Sequence, residues 1–202
     1  MKITINDIYD LVVESVTETI ACLGASYPKS GDLKGDNIRA LAHRIKNGDD
    51  AAINKAASLL CKYVQPNSIL IPVPSHTGRS TYTLKLAKLI AIKAGVKVLD
   101  VIRSEPREML YNRKLKNINI NDVELGFYCV NDVNGSIVKT LKNASNVILI
   151  DNVVDSGITY EQAHKALLTA YGVNSWMLSL GVVEKSVHDI DDDRVFRSII
   201  KI

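Results

Sequence analysis

Asp151, Asn152, Asp155, Ser156, Gly157 and Thr159 stand directly behind the aliphatic run Val147-Ile148-Leu149-Ile150. That order of residue types suits recognition of a phosphorylated sugar. Four consecutive aliphatics mark a short strand covered on both faces of a parallel sheet, so Asp151 should emerge at its carboxyl edge. From Ile158 the sequence turns helical, and the free N–H groups of a helix start attract an anion. Thr159 and Gln162 have the spacing of a capping box, and Ser156 and Thr159 add hydroxyl donors. A carboxylate does not welcome phosphate, but it accepts hydrogen bonds from sugar hydroxyls or holds the water shell of Mg²⁺. The spacing predicts a phosphate at residues 155–159 and a ribose facing Asp151. The plainer alternative makes Asp155 or Ser156 an ordinary helix N-cap in a protein that binds nothing there. A cap alone does not require Asp151, Gly157 and Thr159 at these positions.

The elements that must position these residues follow from periodicity. Residues 1 to about 66 read as helical: Ile8, Leu11, Val12, Val16 and Ile20 recur on one face, and Ile38, Leu41, Ile45, Ile53, Leu59 and Leu60 continue the pattern after breaks at 27–35 and 47–48. Residues 68–73 predict a strand and 81–94 a helix stopped by Gly95. Residues 96–102 predict a second strand, giving a βαβ unit. Further on, 127–130 reads as a strand, 136–142 as a short helix, 146–151 as the motif strand, 158–171 as a helix and 175–183 as a strand. Strands alternating with helices predict an α/β protein with a Rossmann-like, mostly parallel sheet, whose ligands gather beyond the strands' carboxyl ends.

Residues 147–159 resemble the phosphoribosyl diphosphate (PRPP) motif of type I phosphoribosyltransferases: an apolar strand, two acids, two apolar residues, then a Thr/Ser- and Gly-containing loop ending in Thr. Asp151 stands at the first acidic position, and Asp155, Ser156, Gly157, Ile158 and Thr159 cover the 5′-phosphate loop. Asn152 stands where a second acid is usual. The resemblance implies the type I phosphoribosyltransferase fold, with residues 1–66 as a helical N-terminal region serving as a hood and 67–202 as the α/β core. It also implies a Mg²⁺-dependent enzyme that transfers the 5-phosphoribosyl group of PRPP to a nucleobase-like nitrogen acceptor and releases pyrophosphate. Asp151 and Asp155 would be the catalytic residues. Asp151 would face the ribose and the metal, through water or PRPP, and Asp155 would take the acceptor's proton if the acceptor is a purine. Asn152 hydrogen-bonds a hydroxyl but brings no charge to organise Mg²⁺, so either catalysis leans on Asp151 alone or turnover is weakened.

Two further segments take their reading from the same resemblance. Residues 72–80 join the first strand to its helix where type I enzymes grip pyrophosphate, which nominates Ser75, His76, Thr77 and Arg79; the prolines and the place of Arg79 look like the ComF-like branch. The alternative is a surface turn with one solvated arginine. Residues 103–116 occupy the place of a closing lid and nominate Arg103, Arg107, Arg113 and Lys114 as phosphate contacts, against the reading of a solvated charge run. Near the carboxyl end, His188, Asp189, Asp191, Asp192 and Asp193 read as a solvated acidic turn rather than a calcium loop, and Val195 and Phe196 lie against an acceptor base or in a final strand. Trp176 reads as core.

Composition sets the outer bounds. A chain of 202 residues holds one domain with an appendage, and a net charge of +3 gives no support for nucleic acid as a partner. Cys22, Cys61 and Cys129 lie far apart without a C-x-x-C pair, so reduced thiols are expected rather than a disulfide framework or zinc site. The residues show no leader pattern and no spanning segment, which predicts a cytoplasmic protein with PRPP and a small-molecule acceptor as partners and no membrane. Type I relatives suggest a homodimer. Two alternatives remain from the sequence: a PRPP- or nucleotide-binding regulatory protein weak in turnover, favoured by Asn152, and a ComF-like protein of DNA uptake or processing.

Overall fold

The computed structural model describes residues 19–22, 25–27, 33–116, 118–119, 123–183 and 198–201. Nine strands and six α-helices are present among them: β1 (Thr19–Cys22), β2 (Ala25–Tyr27), α1 (Leu33–Lys46), α2 (Asp50–Leu60), β3 (Ser68–Pro72), α3 (Thr81–Ala94), β4 (Lys97–Val98), β5 (Ile102–Arg103), α4 (Leu110–Leu115), β6 (Tyr128–Cys129), α5 (Ser136–Lys142), β7 (Asn146–Val154), α6 (Ile158–Tyr171), β8 (Trp176–Val183) and β9 (Ser198–Lys201). The main sheet runs β4-β3-β7-β8-β1-β9, with β2 also on β8, and its pairings are parallel. The molecule is thus an α/β protein with a parallel sheet flanked by helices.

Side-chain alternation divides the core into two layers. Leu70, Ile148 and Trp176 are register partners and face the side that α1, α2 and α3 cover, together with Ile150, Leu178 and Leu180. Ile71, Leu149 and Met177 face the opposite side, which Tyr160, Ala163 and Leu167 of α6 and Leu141 of α5 cover. Strands buried on both faces need the near-continuous apolar runs that β3 and β7 carry. Because Pro72 pairs with Ile150, the carboxyl ends of β3 and β7 lie side by side. The loops that leave them begin at the same edge.

Several boundaries differ from the sequence pattern. Residues 19–22 and 25–27, expected within helix, are strands: Ile20 pairs with Met177, and β1 and β2 lie along the edge of β8 opposite β7. An open parallel edge offers backbone partners that a short helical period cannot reveal. Ile8, Leu11, Val12 and Val16 lie outside the described residues, as do His188, Asp189, Asp191, Asp192, Asp193, Val195 and Phe196. Residues 96–102 do not form one strand. β4 pairs with β3 as far as the bond from Leu99 N to Leu70 O, and the chain then leaves the sheet so that β5 pairs antiparallel with β6. β7 extends to Val154, so both Asp151 and Asn152 are strand residues. Helices 81–94, 136–142 and 158–171 keep their expected bounds, and Gly95 closes α3 in the left-handed conformation at φ +69°. Trp176 is buried, Cys61 and Cys129 are free thiols, and among the described residues no helix is long and apolar enough to cross a membrane.

The capping box is also corrected. Gln162 turns away from the helix start, donating from Nε2 to Val123 O at 2.7 Å and accepting from Leu125 N at 2.6 Å. One amide thereby satisfies both backbone groups of a loop that has no strand partner. Replacing Gln162 with leucine should leave that N–H and C=O unpaired and lower the unfolding free energy by about 2 kcal/mol in urea titrations, whereas an exposed control such as Lys165→Leu should change it by less than about 0.5 kcal/mol.

Candidate phosphosugar site at the carboxyl edge of the sheet

Asp151 is the chemical centre of this edge. It is 9% exposed, and its Oδ1 accepts from Asn152 N at 2.7 Å. Burial raises its pKa to about 6, against the opposing pull of the Asn152 N–H and of the positive charges on Lys46 and Arg107. A single buried carboxylate is the share a protein supplies to Mg²⁺ when phosphate oxygens and water complete the octahedron, so Asp151 fits a metal that arrives with its substrate. No group of three metal-ligating side chains is assembled among the described residues.

Asn152 points elsewhere. It is 2% exposed and its Nδ2 donates to Ala42 O in α1 at 3.4 Å, a long bond. An ionised carboxylate has no proton to donate, so an acid here would set two acceptors against each other in a buried space. That contact accounts for an amide rather than an acid at this position.

The loop nominated for phosphate follows at the end of β7. Gly157 is the N-cap of α6 at φ +78°, a backbone conformation that side chains rarely adopt, and neither Asp155 nor Ser156 occupies the cap position. A glycine cap brings no side-chain acceptor to the first N–H groups of a 14-residue helix, whose dipole favours an anion. Asp155, Ser156 and Thr159 are partly exposed, while Gly157 and Ile158 are buried. The cradle is therefore open on its polar side.

Across the edge, residues 75–79 form a tight turn. Ser75 N donates to Arg79 O at 3.0 Å and Gly78 N to Ser75 O at 3.0 Å, while the Ser75 and Thr77 hydroxyls are 2.8 Å apart. His76, Thr77 and Arg79 are exposed, and Arg79 makes no ion pair among the described residues. The turn is fastened to the sheet by Ser80 Oγ on Pro72 O and Thr83 Oγ1 on Val73 O. Its other side is fastened to residues 104–107. Gly78 O accepts from Ser104 N at 3.3 Å, and a Cβ on Gly78, at φ +81°, would strike the Ser104 carbonyl oxygen.

The four residues nominated from 103–116 separate. Arg107 joins the site: its N donates to His76 O at 2.8 Å, its Nη1 donates to Ser75 O at 3.1 Å and to Ser104 Oγ at 2.7 Å, and its charge acts on Asp151. Arg113 stands near it, 3.9 Å from a Glu108 oxygen. Arg103 is turned away, paired with Asp100 at 2.8 Å and acting on Tyr171 at the far end of α6, roughly 20 Å of helix from Gly157. Lys114 belongs to α4, and its side chain lies outside the described residues.

Two side chains at this edge had no signal in the sequence. Tyr82, in the first turn of α3, is within electrostatic reach of both Asp151 and Arg107; burial, then the Asp151 charge, pushes its phenol well above the ordinary range. Lys46 comes from the last turn of α1. Tyr82 could have been suspected only from its place immediately after the 72–80 loop.

Because Asp151 binds its proton more tightly folded than unfolded, its ionisation costs stability as pH rises from about 4 to about 6. Asp151→Asn should therefore stabilise the ligand-free protein by about 2–3 kcal/mol near neutral pH, and the gain should vanish below about pH 4, as read by chemical denaturation at both pH values. Asn152→Asp should do the reverse, costing about 1–3 kcal/mol at neutral pH with recovery on acidification.

Compared with known proteins, the chain matches no family model and no curated protein.

Proposed function

We propose that the protein binds PRPP at this edge and transfers its 5-phosphoribosyl group to a nucleobase-like nitrogen acceptor, releasing pyrophosphate, on a scaffold of the type I phosphoribosyltransferase kind. The observation that carries the reading is the pairing of Pro72 with Ile150, which sets the turn at 75–79 beside a carboxylate and a glycine-capped helix start. The three groups correspond in order to the diphosphate, ribose and 5′-phosphate of one compound. Ser75, Thr77, Arg79 and Arg107 take the diphosphate; Asp151 accepts from the ribose hydroxyls; residues 155–159 hold the 5′-phosphate through N–H and hydroxyl donors. Mg²⁺ bound with the diphosphate and Asp151 would neutralise the leaving charge. As the bond to the diphosphate breaks, positive charge grows on the sugar ring next to Asp151, and the ionised carboxylate stabilises it. Asp155, partly exposed at the mouth of the loop, would take the acceptor's proton. α1 brings Ala42 and Lys46 to this edge, which supports a share for the amino-terminal region in enclosing the acceptor.

A second reading is favoured by Asn152. Its amide is directed at Ala42 and away from a ligand, so the site has one acidic group where two are usual, which suits a PRPP-binding regulatory protein with little or no turnover. Pyrophosphate release separates the two. With PRPP, Mg²⁺ and a panel of purine and pyrimidine bases, release is expected with at least one base, falling at least about 100-fold in Asp151→Asn. PRPP binding without release for any base would establish the regulatory reading, and absence of PRPP binding would sink both.

A further inference from the structure

Phe127 is one of two phenylalanines in the chain. It is half-buried between β6 and the 123–125 segment, packed against the cluster of Val123, Leu125 and Ile158. The centre of its ring lies 5.0 Å from Arg107 Cζ. The guanidinium is thereby held on three sides: by the ring face, by Ser75 O and by Ser104 Oγ. Its Nε–H remains buried without a hydrogen-bond partner. A buried charged donor without an acceptor is rare in a folded protein, and here the chain leaves the donors of this guanidinium unsaturated. Burial also lowers the pKa of this arginine, so the folded protein keeps a positive charge where it is poorly solvated.

We propose that Phe127 is the positioning residue of Arg107, holding the guanidinium so that the donors not used by Ser75 and Ser104 meet a diphosphate oxygen of the ligand. This rests on the reading of the edge as a diphosphate site and deepens it. A cation over a ring face is oriented as well as attracted, and a flexible arginine without that face would lose its fixed aim at the turn. The same ring touches the cluster that contains Ile158, the first residue of α6, so the diphosphate and 5′-phosphate ends share one apolar wall.

The test uses the full chain and two probes, inorganic pyrophosphate with Mg²⁺ and ribose 5-phosphate, titrated calorimetrically into the wild type, Phe127→Leu and Phe127→Tyr. Leucine keeps an apolar side chain without the ring; tyrosine keeps the ring. Pyrophosphate affinity should fall about tenfold in Phe127→Leu and stay within about twofold of wild type in Phe127→Tyr. Ribose 5-phosphate affinity should be unchanged in both. Equal losses in the two variants, loss of both probes together in Phe127→Leu, or no loss in Phe127→Leu would overturn the positioning role while leaving the site reading intact. A wild type that binds no pyrophosphate would overturn the site reading and this inference with it.

Discussion

A carboxylate kept from water at the rim of a parallel sheet governs the rest of this structure. Asp151 has one backbone donor and two cations within electrostatic reach, yet burial still prevails and its proton is held up to about pH 6. A residue in that condition gains from any positive charge that comes to it, whether a metal or a sugar ring losing its leaving group. The surrounding parts follow from that demand. Arg107 is near enough to moderate the charge but is bonded to Ser75 and Ser104, and so does not close on Asp151 as an ion pair. The protein keeps the two charges apart in a fixed relation, which suits an occupant with both anionic and electropositive portions.

How much of this was legible in the sequence depends on distance along the chain. The motif at 147–159 could be read because strand, carboxylate, glycine and helix start are contiguous, and because strand and helix have different periods. The bounds of α3, α5 and α6 were readable for the same reason, with Gly95 marking one stop. β1 was read as helix because its partner, β8, lies more than a hundred residues away and leaves no local trace. The division of residues 96–102 between two sheets was likewise invisible, since Val96, Val98, Val101 and Ile102 make one apolar run whichever sheet receives them. Gln162 matched a capping pattern, but the loop at 123–125 had the stronger claim on its amide.

The site divides in the same way. The resemblance made Arg103, Arg107, Arg113 and Lys114 equal candidates, and only tertiary structure separates the three arginines. Arg103 finds Asp100 three residues away, whereas Arg107 reaches back across more than thirty residues to Ser75. Residues 104–107 thus form a strut welded to the turn at 75–79 rather than a free flap, and any lid motion belongs to the chain beyond them. Tyr82, Lys46 and Phe127 enter from three other elements, each with nothing in its neighbourhood to announce a ligand.

The close approach of Gly78 to the Ser104 carbonyl has a consequence for how such a protein can diverge. Two surface loops ordinarily accept insertions and substitutions independently. Here a side chain at one position displaces the backbone of the other, so the turn and the strut must change in concert or not at all. The end of α1 meets the same edge through the Asn152 side chain on Ala42 O, a contact that leaves the backbones on either side freer to change.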